Sequence, residues 1–216
     1  MIRPEHYRIL GIDPGTNYMG YGVVEVRGSK VLSVVMGVID MHRLEDPYAK
    51  LKMIFDRVRA IIDEYKPREV ALEAPFFGEN VQSMLKLGRA QGVAMSAALS
   101  REIDVFEYAP TRIKQAVTGQ GSASKEQLAT MVKSILGLKD TEAQLDATDG
   151  MAAALCHFYT TTNPLNGHFQ VGRTKGLGGG RKELKRGGSS SWEQFIKSNP
   201  DREVGGAKKT VKKPTL

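Results

Sequence analysis

A chain of 216 residues with 41% hydrophobic residues has enough apolar material for one substantial core plus an appendage. Its single cysteine, Cys156, excludes an intrachain disulfide and fits a reducing cytoplasm; its apolar runs are too short for a membrane span, and Arg3-Pro4-Glu5-His6 leads into no signal-like region. The net charge of +7 is lopsided: residues 161–216 hold 12 Lys and Arg against 4 Asp and Glu, whereas residues 1–160 hold 19 against 20, so any anion-binding face on the folded part must be local.

Tyr7–Asp13 reads as a central strand, ending Ile-Leu-Gly-Ile-Asp before the turn Pro14-Gly15. Tyr21–Arg27 and Val31–Asp40 are β-rich and joined at Gly28-Ser29, a hairpin signal. The spacing of Leu51, Ile54, Phe55, Val58, Ile61, Ile62 and Tyr65 predicts an amphipathic helix over 48–66, stopped by Pro67. Glu69–Glu73 is a short buried strand, and Asn80–Arg101 a long helix rich in Ala, Gly, Met and Leu. That helix is apolar nearly all round, which predicts burial on two sides, as a core helix or with one side in a dimer seam. A fifth strand, Asp104–Tyr108, precedes a short helix over 111–117. Ser124 with Gln127 forms a capping box for a helix to about Leu136, and Thr141 with Gln144 a second for a helix from Glu142 to about Tyr159. Beyond Thr160, Gly, Ser and Lys dominate. The chain thus divides into a folded domain, 1–160, and a basic, largely disordered tail, 161–216, in which Trp192 and Phe195 suggest a short docking turn. Three strands, helix, strand, helix, strand and helices make an α/β layout. A mixed five-stranded sheet flanked by helices is expected, which fits the ribonuclease H-like architecture.

Four acids stand out. Asp13 ends the first strand, Glu73 ends the fourth, and Asp146 and Asp149 lie three apart on the last core helix, which puts both on one face. Like charges so placed repel, and their convergence makes sense only around cations. An all-oxygen donor set selects Mg²⁺, with Mn²⁺ as a substitute. Two such ions can activate a water and stabilise a departing oxygen. Taken alone, residues 9–16 would serve equally as the first phosphate loop of an ATP-handling protein. No second Asp-Gly-Gly loop follows and the chain is short for that class, so the Asp146/Asp149 pair decides for metal. Glu142 belongs to a helix start, His157 lies too far along the axis to join the acids, and Cys156 reads as packing.

Lys125 opens its helix, where a cation opposes the macrodipole. A phosphate there would reconcile Lys125 with the Gly121-Ser122 backbone, and Lys114 lies near the same loop. Phe76 and Phe77, just after Glu73, are placed to stack on or wedge between bases, though at least one of them suits a core.

These residues sit in motifs that resemble the RuvC family of Holliday junction resolvases, the crossover junction endodeoxyribonucleases. The motifs are Gly-Ile-Asp-Pro-Gly-Thr at 11–16, Gly20-Tyr21-Gly22, Ala-Leu-Glu at 71–73 and Ser-Met-Leu-Lys-Leu-Gly-Arg-Ala-Gln-Gly-Val at 83–93. Phe-Glu-Tyr-Ala-Pro follows at 106–110, Lys-Gln-Ala-Val-Thr-Gly-Gln-Gly-Ser-Ala-Ser-Lys at 114–125, and Asp-Ala-Thr-Asp-Gly-Met-Ala at 146–152. The resemblance spans residues 8 to about 160. It implies a homodimeric, Mg²⁺-dependent nuclease, with two ions per site, that nicks two opposed strands of a four-way DNA junction with some base preference. Partners implied are the junction-binding protein RuvA and the branch-migration motor RuvB. Asp13, Glu73, Asp146 and Asp149 match its catalytic positions; Phe76, Lys114 and Lys125 match DNA-contacting ones, with Ser122 in the same loop. Gly150 stands where the family often has Ala, which weakens a helix by up to about 1 kcal/mol. The tail has no counterpart in the family core.

Overall fold

The computed structural model describes residues 4–75, 80–138 and 145–162, and the backbone of 172–174. The elements in chain order are β1 His6–Asp13, β2 Tyr18–Arg27, β3 Lys30–Asp40, α1 Pro47–Tyr65, β4 Glu69–Glu73, α2 Val81–Leu99, β5 Asp104–Tyr108, α3 Pro110–Thr118, α4 Lys125–Leu136, α5 Leu145–Thr162 and β6 Gly172–Thr174. The expected α/β, ribonuclease H-like layout is present. Its boundaries shift by a few residues, most at β2, which starts at Tyr18, and at α5, which runs two residues past the expected domain edge. Phe76, Phe77, the Thr141/Gln144 box, Glu142, Trp192 and Phe195 lie outside the described residues.

One mixed sheet, ordered β3-β2-β1-β4-β5-β6, organises the molecule. The first three strands form the expected antiparallel meander, with Gly28 at φ +60° in the turn, a conformation that favours glycine. β4 and β5 then run parallel to β1. The five expected strands are joined by a sixth: Gly172–Thr174 pairs antiparallel with β5, Val105 opposite Thr174. It covers backbone groups that a free edge at β5 would leave open.

Each sheet face carries its own core. Leu10, Ile12, Val70, Leu72 and Val105 pack against Ile54, Val58 and Ile62 of α1 and Ala90, Ala94 and Ala97 of α2. Ile9, Ala71 and Phe106 pack against α5, which α3 and α4 cover. Strands β1 and β4 are thus sandwiched, which is why both read as unbroken apolar runs. α1 starts where sequence chemistry says it should: the Asp46 carboxylate accepts from the amides of Tyr48 and Ala49, Pro47 sits at the first helical position, and the chain leaves through a left-handed Lys66.

α2 departs from expectation. It is buried on one face only, through Ala90, Gln91, Ala94, Ala97 and Ala98. On the opposite face Val81 is 67% and Leu85 53% exposed, and Gly88 and Gly92 face open space. An apolar helix surface is buried only if something covers it, and among the described residues the cover lies on the side of α1 and the sheet.

α5 is the deepest helix, and it reaches the sheet at backbone distance. A Cβ on Gly11 would lie 2.1 Å from the Gly150 carbonyl oxygen, one on Gly20 1.7 Å from that of Asp146, and one on Gly150 2.6 Å from the Tyr21 Cα. Three glycines therefore let the first turns of α5 lie on the β1–β2 ladder. The weakening expected of Gly150 omits this: a Cβ there would force the β2 backbone or the helix to shift. His157, further along α5, is fully buried and structural, with Nδ1 2.6 Å from the Tyr108 hydroxyl and Nε2 2.8 Å from Glu69 Oε2. Cys156 is packed, and burial pushes its thiol up to about 11.

Candidate active site

The parallel pairing of β1 with β4 runs to Ile12 opposite Leu72, so Asp13 and Glu73 are the next residues out, side by side at the carboxyl ends of the two strands. Asp13 also pairs with Gly20 on β2, and Gly20 is where the α5 backbone carrying Asp146 touches the sheet. The glycine contacts therefore carry the start of α5, with Asp146 and Asp149, to the end of β1. Their place at the start of α5 also suits the positive pole of the helix.

Asp13 feels the charges of the other three acids. Burial first, then the charges of Glu73 and Asp149, push the Asp13 carboxyl up to about 8, against the pull of Lys125. Burial and the Asp149 charge push Glu73 up to about 7, opposed by Lys125 and Lys114. Asp149 is also raised, by burial, despite its contact with Lys125. Two like charges 4 Å apart near a protein surface repel by about 4 kcal/mol. A cluster of this kind stays protonated or takes up cations.

Lys125 is the cation already there. Its Nζ lies 2.8 Å from Asp149 Oδ2 and 3.6 Å from Asp146 Oδ1. Burial disfavours its charge, but the hydrogen bond and charge of Asp149, with Asp13 and Asp146, hold the ammonium above the ordinary lysine range. The expected Ser124/Gln127 capping box is formed, so α4 opens on Lys125 as the sequence says. Two carboxylates of the protein itself answer the conflict between Lys125 and the helix dipole. Lys114, half-buried on α3, reaches the site by its field on Glu73 and Asp149. Ser122 is exposed in the loop before α4.

The donor set fits a hard divalent ion: every candidate ligand is a carboxylate oxygen, and the buried Asp149 Oδ2 is met by the Lys125 ammonium, a cation already standing at that oxygen. Among the described residues no three of these groups converge into a ready-made ion cage. Lys125 bridges the helix pair.

Two residues that the sequence reading passed over border the site. Gln91 of α2 is buried, and its Nε2 donates to Glu107 Oε1 at 2.7 Å. It lines a cleft of about 150 Å³ with Asp13, Pro14, Glu73, Ala74, Pro75 and Leu87. A Gln in a helix of small residues gives no signal; the sheet order is what brings α2 beside the ends of β1 and β4.

A family model described as crossover junction endodeoxyribonuclease RuvC matches residues 9–157. The RuvC of Bacteroides fragilis is 50% identical, over 94% of this chain and 99% of that protein; the RuvC of Porphyromonas gingivalis is 49% identical, over 93% and 99%. Matches of that extent run well into residues 161–216, so these relatives do share much of the tail. The RuvC of Trichlorobacter lovleyi, 45% identical, matches only 69% of the chain. Among solved structures, T. thermophilus RuvC in complex with a Holliday junction substrate superposes with a TM-score of 0.67 at 34% identity, over 72% of this chain and 95% of that one. The yeast mitochondrial Holliday junction resolvase shares the fold, with a TM-score of 0.54 at 15% identity. With near-half identity along almost the whole of such relatives, this chain belongs to the RuvC family of crossover junction endodeoxyribonucleases.

Proposed function

We propose that this chain is a structure-specific endonuclease that resolves Holliday junctions by nicking two opposed strands. The observation that carries this is that Asp13, at the end of β1, feels the charges of Glu73 on the neighbouring parallel strand and of Asp146 and Asp149 on α5, in a chain of this family. The acids are the ligands for divalent cations, Mg²⁺ with Mn²⁺ as a substitute and two per site. When bound, such ions supply a nucleophilic water and charge relief at the departing oxygen. The chain's own residues do the rest. Sequence-distant carboxylates are held near one another by the β1–β4 pairing and the α5 glycine contacts. Lys125 and Lys114 offset the acid cluster and attract the phosphate backbone toward it, while Ser122 and the residues beside it offer hydrogen bonds to the same strand. Phe76 is assigned to bases near the crossover.

The reading is of a homodimer, one nick per protomer, with the exposed face of α2 (Val81, Leu85, Gly88, Gly92) as the seam. Its partners in this reading are RuvA and RuvB, a coupling that co-retention on a tethered junction would test. The deciding experiment is a strand-labelled four-way junction with and without Mg²⁺. Paired nicks on opposed strands are expected, lost in Asp13→Asn while junction binding stays intact or tightens. Full nicking by Asp13→Asn would sink the catalytic assignment, and unpaired nicks would sink the dimer.

A further inference from the structure

The cleft between Asp13, Glu73 and α2 is built differently from the acid cluster on its rim. Gln91 apart, its remaining wall among the described residues is apolar: Pro14, Ala74, Pro75 and Leu87. Cations and their waters gain nothing from such a wall, whereas a flat ring does. At about 150 Å³ it matches the size of an apolar cavity that accepts one benzene ring, and it is too small for a base pair.

One neutral polar group enters this wall, and its orientation is fixed. Glu107 of β5 accepts the Gln91 Nε2 hydrogen at 2.7 Å. A carboxylate has no hydrogen to give, so the carboxamide cannot turn its oxygen toward Glu107. The second Nε2 hydrogen and the Oε1 lone pairs are left for whatever occupies the cleft. A fixed donor beside a fixed acceptor matches the Watson–Crick edge of an unpaired pyrimidine, which presents one acceptor next to one donor.

We infer that this cleft takes one unpaired, single-ring base of the strand being cut, next to the scissile phosphate, and that Gln91, clamped by Glu107, is the residue that selects it. Glu107 is a positioning residue, acting through Gln91. The inference rests on the nuclease reading above and deepens it by assigning base selection to named groups. Selection next to the acids makes the choice of base part of the cutting step: a base that fails to pair with Gln91 leaves the phosphate out of place at Asp13 and Glu73.

The test is nick mapping on a panel of four-way junctions that vary each base flanking the cut in turn. Wild-type nicking of these junctions comes first, and its absence would count against the nuclease reading itself. Gln91→Met keeps the volume and removes the hydrogen bonds; the ratio between best and worst base is expected to fall by about tenfold. Glu107→Gln lets the Gln91 amide turn over, because a glutamine both donates and accepts, and is expected to change which base is preferred. It conserves shape, so it decides the matter if Gln91→Met does not fold. Folded variants with the wild-type distribution of nicks would overturn the inference. So would a loss of nicking equal at every base, which would assign Gln91 to the cutting step alone.

Discussion

Asp13 and Glu73 hold their protons more tightly in the folded chain than in the unfolded one, and stability must follow. For a carboxyl whose folded pKa is raised, the contribution is fully present below the unfolded value near 4 and is lost as pH rises through the folded value. Here those values are about 8 for Asp13 and about 7 for Glu73. The metal-free protein should therefore melt at progressively lower temperature between about pH 4 and pH 8. The difference between wild type and Asp13→Asn, by calorimetry in EDTA, isolates the Asp13 share from that of exposed acids such as Asp63, whose hydrogen bond to Arg101 shifts its carboxyl the other way. Mg²⁺ at pH 8 should recover several degrees, because it binds the native chain alone. A wild-type melting point that climbs relative to Asp13→Asn across this window would contradict the coupling. At this scale the acids were legible because each sits where an acid is out of place: at the end of an apolar strand, or in a pair on an apolar helix. Gln91 and Glu107 were not, since their meaning comes from a contact across 16 residues of chain that no local pattern encodes.

Helices declare themselves by period and caps, and α1 and α4 could be read to within a residue for that reason. What a period cannot give is the distance at which a helix meets its neighbour. α5 sits at backbone contact because Gly11, Gly20 and Gly150 lack side chains, and α2 is half uncovered although its sequence is apolar almost all round. Gly150→Ala sets two effects against each other. Helix propensity favours Ala by about 1 kcal/mol. Against it, the new Cβ would stand 2.6 Å from the Tyr21 Cα and 2.7 Å from its nitrogen, backbone atoms that cannot rotate away. Overpacking of this kind costs about 1–3 kcal/mol or more, so the net change should be destabilising. It should also lift the first turn of α5, with Asp146 and Asp149, away from Asp13. Nicking should fall more steeply than stability accounts for, measured as single-turnover rate beside urea unfolding. A more stable Gly150→Ala protein would show that the helix can move without cost.

For the molecule as a whole, charge and chain length divide the sequence into a core and a basic extension, but they do not show where the sheet ends. Gly172-Arg173-Thr174 carries no strand pattern; its pairing is set by the open edge of β5, a property of the tertiary structure. This changes how the tail must be tested. Residues 180–216 hold 10 Lys and Arg against 4 Asp and Glu, enough to add nonspecific DNA affinity by releasing counterions. A chain cut after residue 179 keeps β6, and should nick junctions while its affinity falls off less steeply with salt, by about 0.9 in log–log slope for each phosphate that the tail no longer neutralises. A chain cut after residue 160 loses β6 as well and bares the β5 edge, so it should also aggregate, confusing a loss of charge with a loss of fold. Binding titrations across a series of KCl concentrations, on the full chain and both truncations, separate the two effects. If the slope after cutting at 179 equals that of the full chain, the basic tail takes no part in holding DNA.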